Sequence, residues 1–337
     1  MSIFHRLLEE KSFLLADGAT GTNFFAVGLE TGYPPELWNV EQPEHVLNLH
    51  RQFLDAGSDL ILTNSFGGTS YRLKLHQSQD RVVELNKAGA MLARQAVKER
   101  EDKTGQPGVV AGSMGPSGEL FAPLGALTHE TAVAAFTEQA EALAEGGVDL
   151  LWIETISALE EVNAAFEAAA ATGLPVAATM TFDTAGKSMM GVDPDVYAAH
   201  VGGKGAAALG ANCGVGPAEL MHSMMAMRGK TDAPLVAKGN CGIPEYRDGE
   251  IHYHGSPELM ASYAVLARDA GMQIIGGCCG TTPAHIKAMR HALDETPTGA
   301  EVDADKLEAV LGKAWANIPE APSDDNKNAR NRRRRKR

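Results

Sequence analysis

The sequence predicts a single (β/α)8 barrel of the TIM type, with its chemistry at the C-terminal ends of the strands. Two observations carry that prediction. Eight short apolar runs recur along the chain, and the stretches between them have helical spacing and are rich in alanine. The runs are "FLLADGATGT" from Phe13, "DLILTNSFGGT" from Asp59, "GVVAGSMGP" from Gly108, "LLWIETIS" from Leu150, "PVAATMTFD" from Pro175, "AALGANCG" from Ala207, "PLVAKGNCG" from Pro234 and "QIIGGCCGTT" from Gln273. Their apolar character is continuous rather than alternating, which suits parallel strands buried on both faces.

The intervening helices are legible one by one. "HVLNLHRQFLDAG" puts Val46, Leu49, Phe53 and Leu54 on one face and stops at Gly57, a residue type suited to the left-handed turn that ends helices. "TAVAAFTEQAEALAEGG" and "EEVNAAFEAAAATG" repeat the pattern and also stop at glycine. Eight such units in about 300 residues fit one barrel. A two-domain doubly wound protein is the other architecture this rhythm allows.

Composition excludes several function classes. The chain has 337 residues, 44% of them hydrophobic, enough for a large core. No apolar stretch is long enough to span a bilayer, and "MSIFHRLLEEKSF" is too acidic for a signal peptide, so the expected location is the cytoplasm. The segment Lys327–Arg337 holds 8 of the 30 Lys and Arg and no acid, leaving 22 basic against 43 acidic residues, a net of −21 on the rest. A body that acidic is not a nucleic-acid-binding surface. We expect residues 1–318 to form the barrel and 319–337 a disordered basic tail.

Four cysteines are too few for a disulfide scaffold. Cys213 closes the sixth run, Cys278 and Cys279 close the eighth, and these strand ends are near neighbours around a barrel mouth. Three thiolates with an open fourth position describe a catalytic zinc, whereas a structural site closes with four ligands. The flanking glycines permit unusual dihedrals at little steric cost. A free alkyl thiol has a pKa of roughly 8.5, and coordination to a metal removes its proton at neutral pH. The chemistry this predicts is attack of a bound thiolate on an electrophilic carbon. Cys241, after the seventh run, reads as a packing cysteine.

The ordered set "DGATGT", "TNSFGGT", "IET", "GANCG" and "GGCCGTTPAHI" resembles the zinc-dependent homocysteine S-methyltransferase family, from about Phe13 to Leu293. Within it the chain looks most like free-standing bacterial betaine-homocysteine methyltransferases, and it is also similar to the homocysteine module of cobalamin-dependent methionine synthase. The resemblance implies a (β/α)8 barrel, methionine as product and zinc held by Cys213, Cys278 and Cys279. It implies that Asp17 and Glu154 grip the homocysteine ammonium, which suits a pair of strand-end carboxylates. Gly18 would let the backbone approach the amino acid, and Asn240 matches an asparagine able to fill the fourth zinc position.

The family pattern also implies aromatic rings around a methyl donor, with glycine betaine as the expected one. Trp38 lies in the first long loop, but the strand-two position reads Gly67 and the residue after Glu154 is Thr155. Phe24, Phe25, Tyr33, Tyr71, Tyr246 and Tyr253 are the other rings available to hold a quaternary ammonium. Competing donors are S-methylmethionine or another sulfonium, or a methylated corrinoid protein acting as partner. The expected partners are thus homocysteine and a small donor, with homo-oligomerisation left open. The sequence allows two further readings: a non-catalytic zinc-bound thiol sensor, and a lyase or aldolase using Lys238 as a Schiff-base lysine.

Overall fold

The computed structural model describes residues 1–242, 244–247 and 250–316, with backbone alone over 244–247 and 250–252. The strands are β1 (Leu14–Leu15), β2 (Leu60–Leu62), β3 (Val109–Met114), β4 (Leu150–Ile156), β5 (Val176–Met180), β6 (Ala208–Cys213), β7 (Leu235–Gly239), β8 (Pro244–Arg247), β9 (Glu250–Tyr253) and β10 (Ile274–Gly277). All but β8 and β9 form one parallel sheet in the order β1-β10-β7-β6-β5-β4-β3-β2. A parallel bridge between Ala16 and Leu60 joins its two edges and closes the barrel. The doubly wound alternative is thereby excluded, since an open sheet keeps its edges apart.

Each expected run supplies one barrel strand. Side chains alternate between the interior and the helix layer, as the two-residue period of a strand requires. Leu14, Ala16, Leu60, Leu62, Val109, Ala111, Leu150, Trp152, Val236 and Ile274 fill the interior, and Phe4 and Leu7 of the helix Ile3–Glu10 join this cluster. Burial of that apolar surface is the main stabilising term. The helix Pro43–Asp55 buries Val46, Leu49, Phe53 and Leu54. It ends in paired bonds from Gly57 N–H to Leu54 O and from Ser58 N–H to Phe53 O, with Gly57 at φ 104°.

One element was not foreseen. β8 and β9 form an antiparallel hairpin between the seventh and eighth barrel strands, and it carries Tyr253 to the barrel mouth. Downstream, Trp315 stacks edge-on against His222, with its backbone N–H on Glu219. The expected tail, 319–337, lies outside the described residues. No helix among the described residues is long and apolar enough to cross a membrane.

Candidate metal and substrate site

β6 and β10 are separated only by β7, so their ends are close despite a sequence gap of about sixty residues. The three sulfurs of Cys213, Cys278 and Cys279 lie within 4.8 Å of one another, with Cys213 and Cys279 4.0 Å apart. Zinc–sulfur bonds of about 2.3 Å at tetrahedral angles place thiolates about 3.8 Å apart, so this nest fits such an ion. Hydrogen bonds from the Cys213 and Cys278 thiols hold Cys279 well below the usual thiol range, while bonding to Cys278 and Cys279 pushes Cys213 up. Three thiolates need a cation to coexist.

The backbone strain sits where the sulfurs must be aimed. Cys213 has φ 62°, an uncommon conformation for a residue with a Cβ, and Gly214 follows at φ 78°. Around the paired cysteines only Gly280 uses positive φ (79°). Gly276 and Gly277 serve close approach instead: a Cβ on Gly277 would lie 2.3 Å from the Thr281 side chain, and one on Gly276 2.9 Å from Ala16. Gly18 belongs with them, because a Cβ there would meet Thr281 O at 2.5 Å and the Phe53 ring at 2.9 Å. Its missing side chain makes room for protein, and its backbone also lines the cavity above the sulfurs.

Asp17 and Glu154 lie close enough to interact electrostatically, but each comes with partners that sequence reasoning missed. Asp17 accepts from Leu62 N–H (2.8 Å) and from Lys238 Nζ (2.6 Å). Lys238 is itself buried, its Nζ 5.9 Å from the centre of the Trp152 ring. Burial alone would lower the lysine's pKa, yet the Asp17 and Glu154 carboxylates raise it. Held charged in this way, Lys238 is a poor Schiff-base nucleophile, which counts against the aldolase reading. Glu154 accepts from Ser113 Oγ (2.5 Å) and from Asn212 Nδ2 (3.3 Å). Burial, then the charge of Cys278, pushes it up to about 7. A register shift at the end of β4 and a positive φ at Thr155 turn Glu154 into the mouth, and Asn212 clamps that bend through Thr155 N–H and Oγ1.

Asn240 stands between the two cysteine turns. Its Nδ2 donates to Gly214 O (2.6 Å) and its Oδ1 accepts from Cys279 N–H (3.0 Å), so the amide ties the Cys213 turn to the paired-cysteine turn. Cys241 is buried with its sulfur on Gly255 O (2.9 Å), apart from the metal group.

Above the sulfurs opens a cavity of about 530 Å3. Of the expected rings, Phe25, Tyr33 and Tyr253 line it, joined by Phe66. Trp38 does not: it starts a helical turn and is buried between Phe24 and His45, with ring centres 5.2 and 5.1 Å away. Phe24 is core, Tyr71 packs against the core, and the Tyr246 side chain lies outside the described residues. Tyr253 hydrogen-bonds Cys279, its ring carbons lying where a side chain on Gly280 would be.

Comparison with known proteins agrees with this geometry. A family model described as homocysteine S-methyltransferase matches residues 14–293. The methionine synthases of Mycobacterium tuberculosis (strain ATCC 25618 / H37Rv) and Mycobacterium leprae (strain TN) are each 30% identical, over 298 and 265 residues. These matches cover 83% and 77% of this chain but 24% and 22% of theirs, so the chain spans about a quarter of the length of those relatives. Among solved structures, the homocysteine methyltransferase MmuM from Escherichia coli superposes in its metallated form with a TM-score of 0.70 at 27% identity, covering 86% of this chain and 99% of that one. Its oxidized form gives 0.70 at 28% identity, covering 86% and 98%. Motif order, closed barrel and gathered sulfurs therefore have one common explanation: the chain belongs to the homocysteine S-methyltransferase family.

Proposed function

We propose that the protein moves a methyl group from a small onium donor to the thiol of homocysteine, giving methionine. The observation that carries this reading is the nest of three sulfurs at the strand ends, beside a buried carboxylate and beneath an aromatic-lined cavity. Cys213, Cys278 and Cys279 would hold zinc. A zinc ion there lowers the pKa of a thiol that joins it as fourth ligand, leaving a nucleophilic sulfur at neutral pH.

The chain's own groups fix the reactants. Glu154 receives the ammonium of the amino acid, and the arriving cation favours the ionised carboxylate. Asp17, balanced by Lys238, adds negative potential without a second unpaired charge. The walls hold the donor so that its methyl carbon lies in line with the sulfur, and such orientation supplies much of the acceleration. As the sulfur–carbon bond forms, the donor's carbon–nitrogen or carbon–sulfur bond breaks, and its electron pair stays on the departing heteroatom, which leaves neutral.

Glycine betaine is the donor proposed first, because Phe25, Tyr33, Phe66 and Tyr253 offer faces to a quaternary ammonium. A second reading, favoured by the identity to methionine synthases, is delivery from a methylated corrinoid protein. The test is a panel of glycine betaine, S-methylmethionine, dimethylsulfoniopropionate and methylcobalamin with homocysteine, scoring methionine by mass spectrometry. Cys278→Ser should lose both zinc and methionine formation. Stoichiometric zinc and full activity in that variant would refute the site, and homocysteine binding without turnover on any donor would favour a thiol sensor.

A further inference from the structure

The cavity lining includes two charged side chains, Glu36 and Arg72, that the methyl-transfer reading leaves unused. Glu36 sits there, only 5% exposed, in the short helix Pro35–Leu37. Its Oε1 accepts from Gly67 N–H at 2.6 Å. A Cβ on Gly67 would stand 3.0 Å from Oε1 and 3.5 Å from Oε2, so the carboxylate fills the space a side chain at position 67 would take. The loop is pinned: Asn64 donates to Pro35 O (2.7 Å) and to Asn39 Oδ1 (2.9 Å). Pro34 and Pro35 stiffen the approach.

A buried carboxylate held only by backbone hydrogen bonds, from Gly67 and its own residue, is costly unless a cation meets it. Burial raises the Glu36 pKa, with Arg72 and His76 near enough to lower it in part. Neither forms an ion pair with Glu36 among the described residues. Arg72 lines the same cavity, and its guanidinium makes no ion pair or side-chain hydrogen bond among the described residues. The lining therefore offers a fixed anion and, close enough to act on it, a cation with no ion pair among the described residues, together with the rings of Phe25, Tyr33 and Phe66.

We infer that Glu36 is the counter-ion of the donor's onium centre and Arg72 the anchor of its carboxylate. The inference rests on the proposed methyl transfer. The onium charge disappears as the methyl leaves, so contact with Glu36 is strongest in the bound donor and weaker in the transition state and product. Its effect belongs in donor affinity rather than in the chemical step.

The experiment measures equilibrium binding to the zinc-loaded full chain by calorimetry. Glycine betaine is compared with 3,3-dimethylbutyrate, its uncharged-carbon isostere, and with tetramethylammonium, which lacks the carboxylate; dimethylsulfoniopropionate and S-methylmethionine serve as further onium probes. Wild type should prefer an onium carboxylate to the isostere by about tenfold or more, the scale of a charge-assisted contact. Glu36→Gln keeps an acceptor for Gly67 N–H but removes the charge, and should abolish that preference. In turnover it should raise the donor KM about tenfold with kcat within about twofold. Arg72→Gln should abolish the preference for betaine over tetramethylammonium. An onium-to-isostere ratio unchanged in Glu36→Gln, or no binding of any onium carboxylate by wild type, overturns the inference. Homocysteine binding measured on the same preparations separates the two failures: if it is absent the proposed function falls, whereas the ratio still decides the role of Glu36.

Discussion

Lys238 Nζ lies 2.6 Å from Asp17 Oδ1, and both side chains are only 2% exposed. Neither charge is tolerable there alone. Burial raises the Asp17 pKa, and Lys238 is the largest opposing influence. Breaking a buried pair from one side leaves an uncompensated charge and costs about 3–5 kcal/mol. Lys238→Met should therefore lose about that much stability in urea unfolding. Asp17→Asn combined with Lys238→Met should recover a good part of it, because the pair is coupled. Strictly additive losses would show that the two residues act independently. Borohydride should trap no carbonyl compound on wild type, since the paired lysine stays protonated.

Asn240 holds two turns in register through one amide, between Gly214 O and Cys279 N–H. Groups that orient metal ligands are typically worth about 10–100-fold in metal affinity. Asn240→Ala should weaken zinc binding by that factor in a chelator competition, with the barrel's far-UV signal unchanged. Unaltered affinity would return Asn240 to a turn role alone.

The barrel and its sulfurs were legible for a simple reason: parallel strands buried on both faces write themselves as apolar runs, and the cysteines stand at the ends of those runs. What was hidden depends on which neighbours meet. Lys238 read as a strand-end lysine, and nothing in "PLVAKGN" says that Asp17, far off in sequence, lies opposite it. Trp38 read as a donor ring because it is an aromatic in a long loop, yet it opens a helical turn whose buried side faces Phe24. Glu36, two residues earlier, faces the cavity instead. The hairpin β8–β9 was missed because a short two-strand excursion between strand and helix has no period long enough to register.

Under the proposed function, Glu154 would make binding of the amino acid pH-dependent. With its carboxyl pushed up to about 7, it is protonated in mildly acidic solution and has no charge to offer an ammonium. Methionine is a suitable probe because it lacks a titrating thiol. Its affinity should fall toward a tenfold loss per pH unit below about 7 and level off above it. Glu154→Gln should flatten that profile. A wild-type profile already flat between pH 5.5 and 8 would remove Glu154 from the ammonium site.

His50 supplies a stability effect opposite in sign to the contribution of Glu154 to folding stability. It lies on the buried face of Pro43–Asp55, 2% exposed, with Nε2 lacking a hydrogen-bond partner among the described residues, and burial lowers its pKa to about 4. Between pH 4 and an unfolded value of about 6.5, the unfolded chain binds the extra proton, so stability falls as pH falls through that window. Glu154 does the reverse: its folded pKa lies above the unfolded one, so between about pH 4.5 and 7 the folded state binds more protons and stability falls as pH rises. The two slopes largely cancel in wild type. His50→Leu removes one of them, and relative to wild type it should gain about 2 kcal/mol on going from pH 7 to pH 5, read from urea midpoints at the two values. A wild-type-to-variant difference independent of pH would mean that His50 titrates normally and is not held neutral by burial.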